Sequence, residues 1–238
     1  MHSRTKIALL ASIILLFAQL IHAQSKYWIS TTPGNWNNAA NWSTTQNGAG
    51  GAPVPGAGEV AIFNGFGGRN GSCTLDIAPT VGGITINSIY TGTLNLSGFS
   101  LTTTGTNVFA TGSITNSGAA ASLIINTTTA TTFSGTSFSV PVTGSSGDLS
   151  FNGSVFNQAV TLTKTGASNN NSVGGDTFHA AFTITNAGSG ELNMAFTNPD
   201  VFNGAVVINN IAAGRIQIGV NSAGNLFAAG SVVIIMSL

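Results

Sequence analysis

The chain has 238 residues, and six Lys and Arg balance six Asp and Glu to give a formal net charge of zero at pH 7. Charged residues make up 5% of the chain, against roughly 25% in an ordinary soluble domain, while 42% are hydrophobic. This scarcity of cations excludes nucleic-acid binding, which needs several Lys or Arg on one face, and the hydrophobic content argues against disorder.

The N-terminal segment, residues 1–23, has the features of a secretory signal peptide. Two basic residues precede an apolar stretch from Ile7 to Leu20, and Ala23 supplies the small residue that signal peptidase prefers before Gln24. The apolar stretch is shorter than the ~20 residues needed to cross a bilayer. We therefore expect a secreted, extracellular protein associated with the cell surface, with no membrane span after signal removal.

Residues 24–70 are rich in Trp, Gly, Pro and Asn and include Trp28, Trp36 and Trp42. We predict that this segment is an N-terminal cap, because the first coil of a repeat stack otherwise exposes its core and a strand edge. An alternative is that the three Trp are exposed and stack on sugar rings, which would make them ligand-binding residues.

Residues 71–238 are predicted to form β-helix repeats, because Phe returns there at steps of 24, 23, 22, 24 and 25 residues. A period in this range is typical of stacked repeats. The residues of this proposed core ladder are Phe109, Phe133, Phe156, Phe178, Phe202 and Phe227.

The repeats also alternate as β-strands do. Apolar residues follow the Phe at four and six positions, as Val160 and Leu162 follow Phe156, which is the two-residue alternation of a half-buried strand. Gly and Asn between these runs tolerate the backbone of tight corners. We predict an all-β, single-stranded parallel β-helix with coils of ~22–25 residues, right-handed as parallel crossovers almost always are.

Two carboxylates are the strongest candidates for chemistry. Asp176 and Asp200 each lie two residues before a repeat Phe, so we expect them to stack on neighbouring coils. Such a pair can bind Ca²⁺ or act as an acid and a base. The same position elsewhere holds short polar residues, which favours a structural corner instead; these are Asn107, Thr131, Ser154 and Asn225.

Two further residues have structural interpretations. His179 falls in a column with Asn157 and Asn203 and has no nucleophile or carboxylate at a persuasive spacing, so we interpret it as a ladder residue. Cys73 is the single cysteine and is predicted to be a small buried residue. The sequence thus predicts no catalytic, cofactor-binding or metal-ligating residue and no cofactor.

Several segments share a pattern of Trp-rich start, short Thr- and Gly-rich strands and Asn- and Asp-containing corners. They are residues 27–42, 73–86, 92–96, 176–178, 198–204 and 221–225. With these segments the chain resembles the large repetitive surface proteins of Bacteroidetes-type bacteria, of the adhesin or haemagglutinin kind. The resemblance implies export, a parallel β-helix and adhesion. Because such proteins run on for many repeats, it also implies that this chain is the N-terminal portion of a longer polypeptide, truncated inside a repeat.

These observations predict a secreted, non-enzymatic structural stalk or adhesin that presents a repetitive polar face to extracellular polysaccharide or another cell surface. A purely structural spacer is a further possibility. The alternative is a polysaccharide-binding or polysaccharide-cleaving, pectate-lyase-like β-helix. Cleavage would require acidic residues to converge with a cation; the candidates are Asp148, Asp176, Asp200, Lys164 and Arg215.

Overall fold

The computed structural model describes residues 24–222, 224–228 and 233–237, so the predicted signal peptide at residues 1–23 lies outside the described residues. The described chain is all-β, with 27 strands and two three-residue 3₁₀ turns at Ala39–Asn41 and Phe66–Gly68. No helix in these ranges has the length and apolar character needed to cross a membrane.

The strands form three long sheets and one short sheet. Sheet A contains β1 (Gln24–Trp28), β3 (Trp42–Ser43), β4 (Glu59–Phe63), β7 (Gly83–Ile86), β10 (Asn107–Phe109), β13 (Ala130–Phe133) and β16 (Asp148–Phe151). Sheet B contains β2 (Gly34–Asn35), β5 (Cys73–Thr74), β8 (Thr93–Asn95), β11 (Ser113–Thr115), β14 (Ser137–Phe138), β17 (Val155–Phe156), β20 (Thr177–Phe178), β23 (Val201–Phe202) and β26 (Leu226–Phe227).

Sheet C and the short sheet D complete the stack. Sheet C contains β6 (Thr80–Val81), β9 (Leu101–Thr103), β12 (Leu123–Asn126), β15 (Val142–Ser146), β18 (Val160–Lys164), β21 (Phe182–Asn186), β24 (Val206–Asn210) and β27 (Val233–Ser237). Sheet D contains β19 (Asn170–Asn171), β22 (Leu192–Met194) and β25 (Ile216–Ile218).

Each coil contributes one strand to each face in a fixed order. β10, β11 and β12 make one coil and pair in parallel with β13, β14 and β15 of the next coil. The result is a β-solenoid of about eight turns, spaced about 22 residues apart in sequence. The predicted parallel β-helix is confirmed.

Alternation sends one side of each strand into the core. In β21, Phe182 and Ile184 are buried, while Thr183 and Thr185 point outward and are partly exposed. Since the same alternation repeats in register on the neighbouring coils, apolar side chains stack into interior ladders and hydroxyls stack into exterior rows.

The single Phe ladder predicted from the sequence is wrong, because the structure contains two ladders. Phe109, Phe133 and Phe151 stack in sheet A, with ring centroids 5.5 and 5.2 Å apart. A second ladder stacks in sheet B at 4.9–5.1 Å; it comprises Phe138, Phe156, Phe178, Phe202 and Phe227.

A short coil explains this error. Phe133 pairs in register with Phe151, so the intervening coil advances 151 − 133 = 18 residues. The 23-residue step from Phe133 to Phe156 therefore crosses from sheet A to sheet B. The two ladders meet edge to face inside the core, as in Phe133–Phe138 at 5.5 Å and 79°.

The N-terminal end of the solenoid is closed by the three indoles. Trp42 packs edge to face on Trp28 and Trp36, with centroids 5.2 and 4.9 Å apart, and Phe63 lies beneath them. The antiparallel strand β3 pairs with β1 through Tyr27–Ser43 and Trp28–Trp42, so β1 is paired on both sides there. Residues 24–70 belong to the same ladder as the coils, since β1 and β4 are both strands of sheet A.

Sheet A is interrupted between β16 and β19, and the boundary between sheets A and D defines what we call the seam. Two side chains take the place of backbone carbonyls there. Asn170 Oδ1 accepts from the N–H of Leu149 at 3.3 Å, and Ser172 Oγ accepts from the N–H of Phe151 at 3.0 Å. Sheets B and C continue through the same coils without a break.

Candidate functional site

The three Trp predicted as possible ligand-stacking residues lie entirely inside the protein. Trp28, Trp36 and Trp42 are each 0% exposed. Two of the indole N–H groups are satisfied internally, Trp28 Nε1 by Gly71 O at 2.7 Å and Trp42 Nε1 by Trp36 O at 2.8 Å. No ring face is available to a sugar, so the carbohydrate-platform interpretation of these residues is wrong, and they serve as core.

A concave surface next to this cluster does present an exposed aromatic side chain. We call it the N-terminal groove; it encloses about 280 Å³ and is lined by Tyr27, Gln46, Ile62, Asn64, Phe66, Thr85, Asn87 and Ile89. Phe66 is 49% exposed and Ile89 is 52% exposed. None of the eight lining residues carries a charge at pH 7.

Strand register builds the floor of the groove. Tyr27 of β1 pairs with Ile62 of β4, which pairs with Thr85 of β7, so the three side chains form one row across the outer face of sheet A. The inward neighbours Trp28 and Phe63 are buried. Alternation along each strand therefore directs the row toward solvent.

Stacked corners form one wall. Asn64 and Asn87 follow β4 and β7 one coil apart, and the N–H of Asn87 donates to Phe63 O at 2.8 Å. Asn64 Oδ1 accepts from the N–H of Phe66 at 3.1 Å, and Asn87 Oδ1 accepts from the N–H of Ser88 at 2.8 Å. These turns hold both amide side chains in place.

The remaining polar atoms of the groove have no protein partner among the described residues. The Nδ2 groups of Asn64 and Asn87, the Tyr27 hydroxyl and the Gln46 amide make no side-chain hydrogen bond there. The groove thus combines apolar surface with unpaired donors. Sequence reasoning missed it; the available signal was Asn-x-Phe at 64–66 and Asn-x-Ile at 87–89, 23 residues apart.

The predicted stacking of Asp176 and Asp200 is confirmed. The N–H of Ser154 donates to Asp176 Oδ1 at 2.7 Å, and that of Asp176 donates to Asp200 Oδ1 at 2.9 Å. Asn225 continues the column by accepting from the N–H of Asp200 at 2.8 Å. Asn107 and Thr131, predicted for the same column, instead lie in sheet A, where they pair with each other.

Both Asp side chains are 0% exposed. Burial, and next the charge of Asp200, raises the pKa of Asp176 to about 8, while burial raises the pKa of Asp200 to about 6. Neither Oδ2 accepts a hydrogen bond from any N–H or O–H of the described residues. The two carboxyl groups can bond to each other when one is protonated, so the column works as a structural corner that holds a proton.

The other acidic residues do not join this pair. Asp148 lies at the start of β16, where Oδ1 is 4.0 Å from Nζ of the fully buried Lys164. Burial lowers the pKa of Lys164 and the charge of Asp148 opposes that shift. Glu191 pairs with Arg215 at 2.8 Å on the edge of sheet D. Within the described ranges no three His, Cys, Asp or Glu are grouped to hold a metal ion.

His179 and Cys73 take the structural positions expected of them. His179 lies between Asn157 and Asn203 in a column beside the sheet B ladder, and Nδ1 of His179 is 3.0 Å from Nδ2 of Asn203. Cys73 is 0% exposed, and burial raises the pKa of its thiol well above its usual range. The predicted small buried cysteine is confirmed.

Polar surface recurs along the solenoid. On sheet C an outward row runs through five consecutive coils; it comprises Asn126, Ser145, Thr163, Thr185 and Asn209. A second, wider groove of about 400 Å³ lies between sheets B and C and is lined by Ser100, Asn116, Ala120, Ala121, Ser122, Ser139, Pro141 and Gln158. It too lacks charged residues.

Comparison with known protein families, with curated proteins and with solved structures found no match to this chain.

Proposed function

We propose that the chain is a secreted, non-enzymatic module of a cell-surface protein, acting as a stalk or adhesin that presents polar rows to a polymer or another cell. The observation that carries the proposal is the five-coil row of hydroxyl and amide side chains on sheet C. Identical spacing of such groups offers one contact per coil to a repetitive ligand. Weak contacts then add up multivalently.

Length and rigidity support the stalk component of this proposal. The eight strands of sheet C span seven spacings of about 4.8 Å, or roughly 34 Å. Every coil is tied to the next by parallel ladders on at least two faces, and Phe stacks continue through the interior. Such a rod keeps its surface rows straight, which is what a spacer or an adhesive surface requires.

The distribution of charge supports a neutral partner. The three ion pairs of the described residues are local, and two of them neutralise a buried lysine: Lys26 with Glu59 at 3.2 Å and Lys164 with Asp148 at 4.0 Å. No broad charged face remains to attract nucleic acid or an anionic membrane. Export and surface attachment rest on residues 1–23 and on the resemblance of the repeats.

Polysaccharide cleavage is the second candidate, and the geometry favours it less. It needs carboxylates and a cation at one accessible place. Asp176 and Asp200 are buried beside sheet B, whereas Asp148 and Lys164 pair at the boundary between sheets C and A.

The test uses the full chain with neutral and anionic insoluble polysaccharides and fixed bacterial cells as probes. Pull-down measures binding, and release of reducing ends from the same samples measures cleavage. Retention on a polymer or on cells without release of reducing ends supports the proposal. Release of reducing ends that Asp176→Asn abolishes would overturn it in favour of an enzyme.

A further inference from the structure

We propose that the N-terminal groove is a binding site for one or two units of a neutral carbohydrate chain. This inference rests on the proposed adhesive function and assigns its ligand class to a defined surface. Phe66 supplies an aromatic side chain that is 49% exposed, and it lies beside Tyr27, whose hydroxyl has no partner among the described residues. Sugar rings present apolar C–H faces to such aromatic groups and hydroxyls to the groups around them.

The free donors of the groove indicate the polar half of the ligand. Asn64 and Asn87 each use Oδ1 for the corner and leave Nδ2 unused among the described residues. A ligand that covers these amides without bonding to them incurs a desolvation cost, so purely apolar ligands are disfavoured. Ligand hydroxyls satisfy amide groups as both acceptors and donors.

The absence of charge narrows the class further. All eight lining residues are neutral at pH 7, and the nearby Glu59 is engaged by Lys26 at 3.2 Å. A uronic-acid chain or a phosphorylated ligand would find no cation in the groove. The site therefore fits a neutral sugar rather than an acidic one.

A peptide strand is also disfavoured. Peptides that bind next to a sheet add to a free edge through their backbone. The groove lies over β1, β4 and β7, and β4 is paired on both sides by its neighbours. With no free edge on its floor, the groove recognises its ligand through side chains.

Repetition along the axis matches a chain rather than a single sugar. Asn64 and Phe66 recur one coil later as Asn87 and Ile89, about 4.8 Å further along the stack. This spacing is close to the length of one pyranose unit. The groove is therefore expected to bind an oligosaccharide aligned with the solenoid axis.

Isothermal titration of the full chain with cellohexaose, laminarihexaose, maltohexaose, xylohexaose and mannohexaose tests this site, with oligogalacturonate as the anionic probe. At least one neutral hexaose is expected to bind and oligogalacturonate is not. Phe66→Ala should weaken binding about tenfold or more. Phe99→Ala is the matched control, because Phe99 is 38% exposed and lies outside the groove; it should change affinity by about twofold or less.

Asn87→Asp provides a second variant with little risk to folding. The carboxylate keeps the oxygen that accepts from the N–H of Ser88 but removes the Nδ2 donors. We expect a loss of about fivefold or more, with an unchanged circular dichroism spectrum and melting temperature. Phe66→Tyr should retain binding.

Three outcomes overturn the groove. They are no binding of any neutral hexaose, equal losses with Phe66→Ala and Phe99→Ala, and unchanged affinity in both Phe66→Ala and Asn87→Asp. If the wild-type chain and Phe66→Ala adhere equally to cells or polymers, adhesion stands and the groove is not its site. If neither adheres to any probe, the proposed function fails as well.

Discussion

The N–H of Asp176 donates a 2.9 Å hydrogen bond to Asp200 Oδ1, one coil further along the solenoid. The two carboxyl groups are thereby held together in a place that water does not reach, since both residues are 0% exposed. Two negative charges in such a place repel, so the native state retains a proton that the unfolded chain releases.

This pair makes stability depend on pH. Because the folded pKa values, about 8 for Asp176 and about 6 for Asp200, lie above the unfolded value of roughly 3.9, the native state binds more protons between these limits. The stabilising contribution is fully present below about pH 4 and is lost as pH rises through about 6 and 8. Urea denaturation from pH 4 to pH 9 should show a falling free energy of unfolding.

Asp176→Asn should remove much of this dependence. Asn keeps the oxygen that accepts from Ser154, and Asn225 already occupies the same column two coils on. We expect stabilisation of roughly 1–3 kcal/mol at pH 8, because a buried charge is no longer required. Asp76→Asn is the control, since this exposed Asp also accepts from a backbone N–H, that of Asn37. A similar change of slope in both variants would contradict the prediction.

Trp42 should be among the most costly residues to truncate. It contacts Trp28, Trp36 and Phe63, and its indole N–H bonds to Trp36 O. Trp42→Ala should reduce the free energy of unfolding by about 3–5 kcal/mol, the usual cost of a large buried aromatic group. Phe66→Ala, at a half-exposed ring, should cost about 1 kcal/mol or less in the same urea titration. Equal costs would show that the indoles do not form the core.

Gly144 occupies an apolar column but should not accept a side chain. It pairs between Ile125 and Leu162 in sheet C, yet its φ of 121° belongs to the region that favours glycine. A Cβ there would also collide with the carbonyl oxygen of Ile125. Gly144→Ala should destabilise the protein by about 2 kcal/mol or more.

Gly153→Ala separates these two causes. Its φ of 74° is also positive, but a Cβ at Gly153 meets no atom within 4 Å. We expect a cost of about 1 kcal/mol from backbone strain alone. Melting temperatures that fall equally in both variants would remove the collision from the explanation.

The sequence alone was sufficient to predict parallel stacking, because β21 and its neighbours repeat the same alternation one coil apart. It was insufficient to assign each Phe to its sheet. Phe133 and Phe138 are only five residues apart and both are buried, so a 24-residue step and an 18-residue step give nearly the same spacing pattern.

The candidate site was harder to predict for a different physical reason. Trp28 and Phe66 are both aromatic residues beside Gly and Asn, and composition does not say which one faces the core. Strand alternation places Trp28 inward and Tyr27 outward, whereas the exposure of Phe66 depends on the 3₁₀ turn Phe66–Gly68. Only the folded register brings Tyr27, Phe66 and Asn87 together.

Export is predicted from residues 1–23 alone. Expressed with its leader in a bacterial host, the chain should leave the cytoplasm and begin at Gln24, as judged by intact mass of the exported protein. Ala23→Glu should block cleavage, because signal peptidase requires a small residue there. Full-length protein retained in the cytoplasm of the wild-type culture would contradict secretion and, with it, the surface role.

The seam between β16 and β19 has a mechanical consequence. On that face Asn170 and Ser172 bind the preceding coil through side chains, whereas backbone ladders hold the other two faces. A rod pulled along its axis yields first where its coils share the fewest backbone bonds. Under tension between two cells, this module would therefore part at Leu149–Ser172 and extend in two steps, absorbing part of the load before either half unravels.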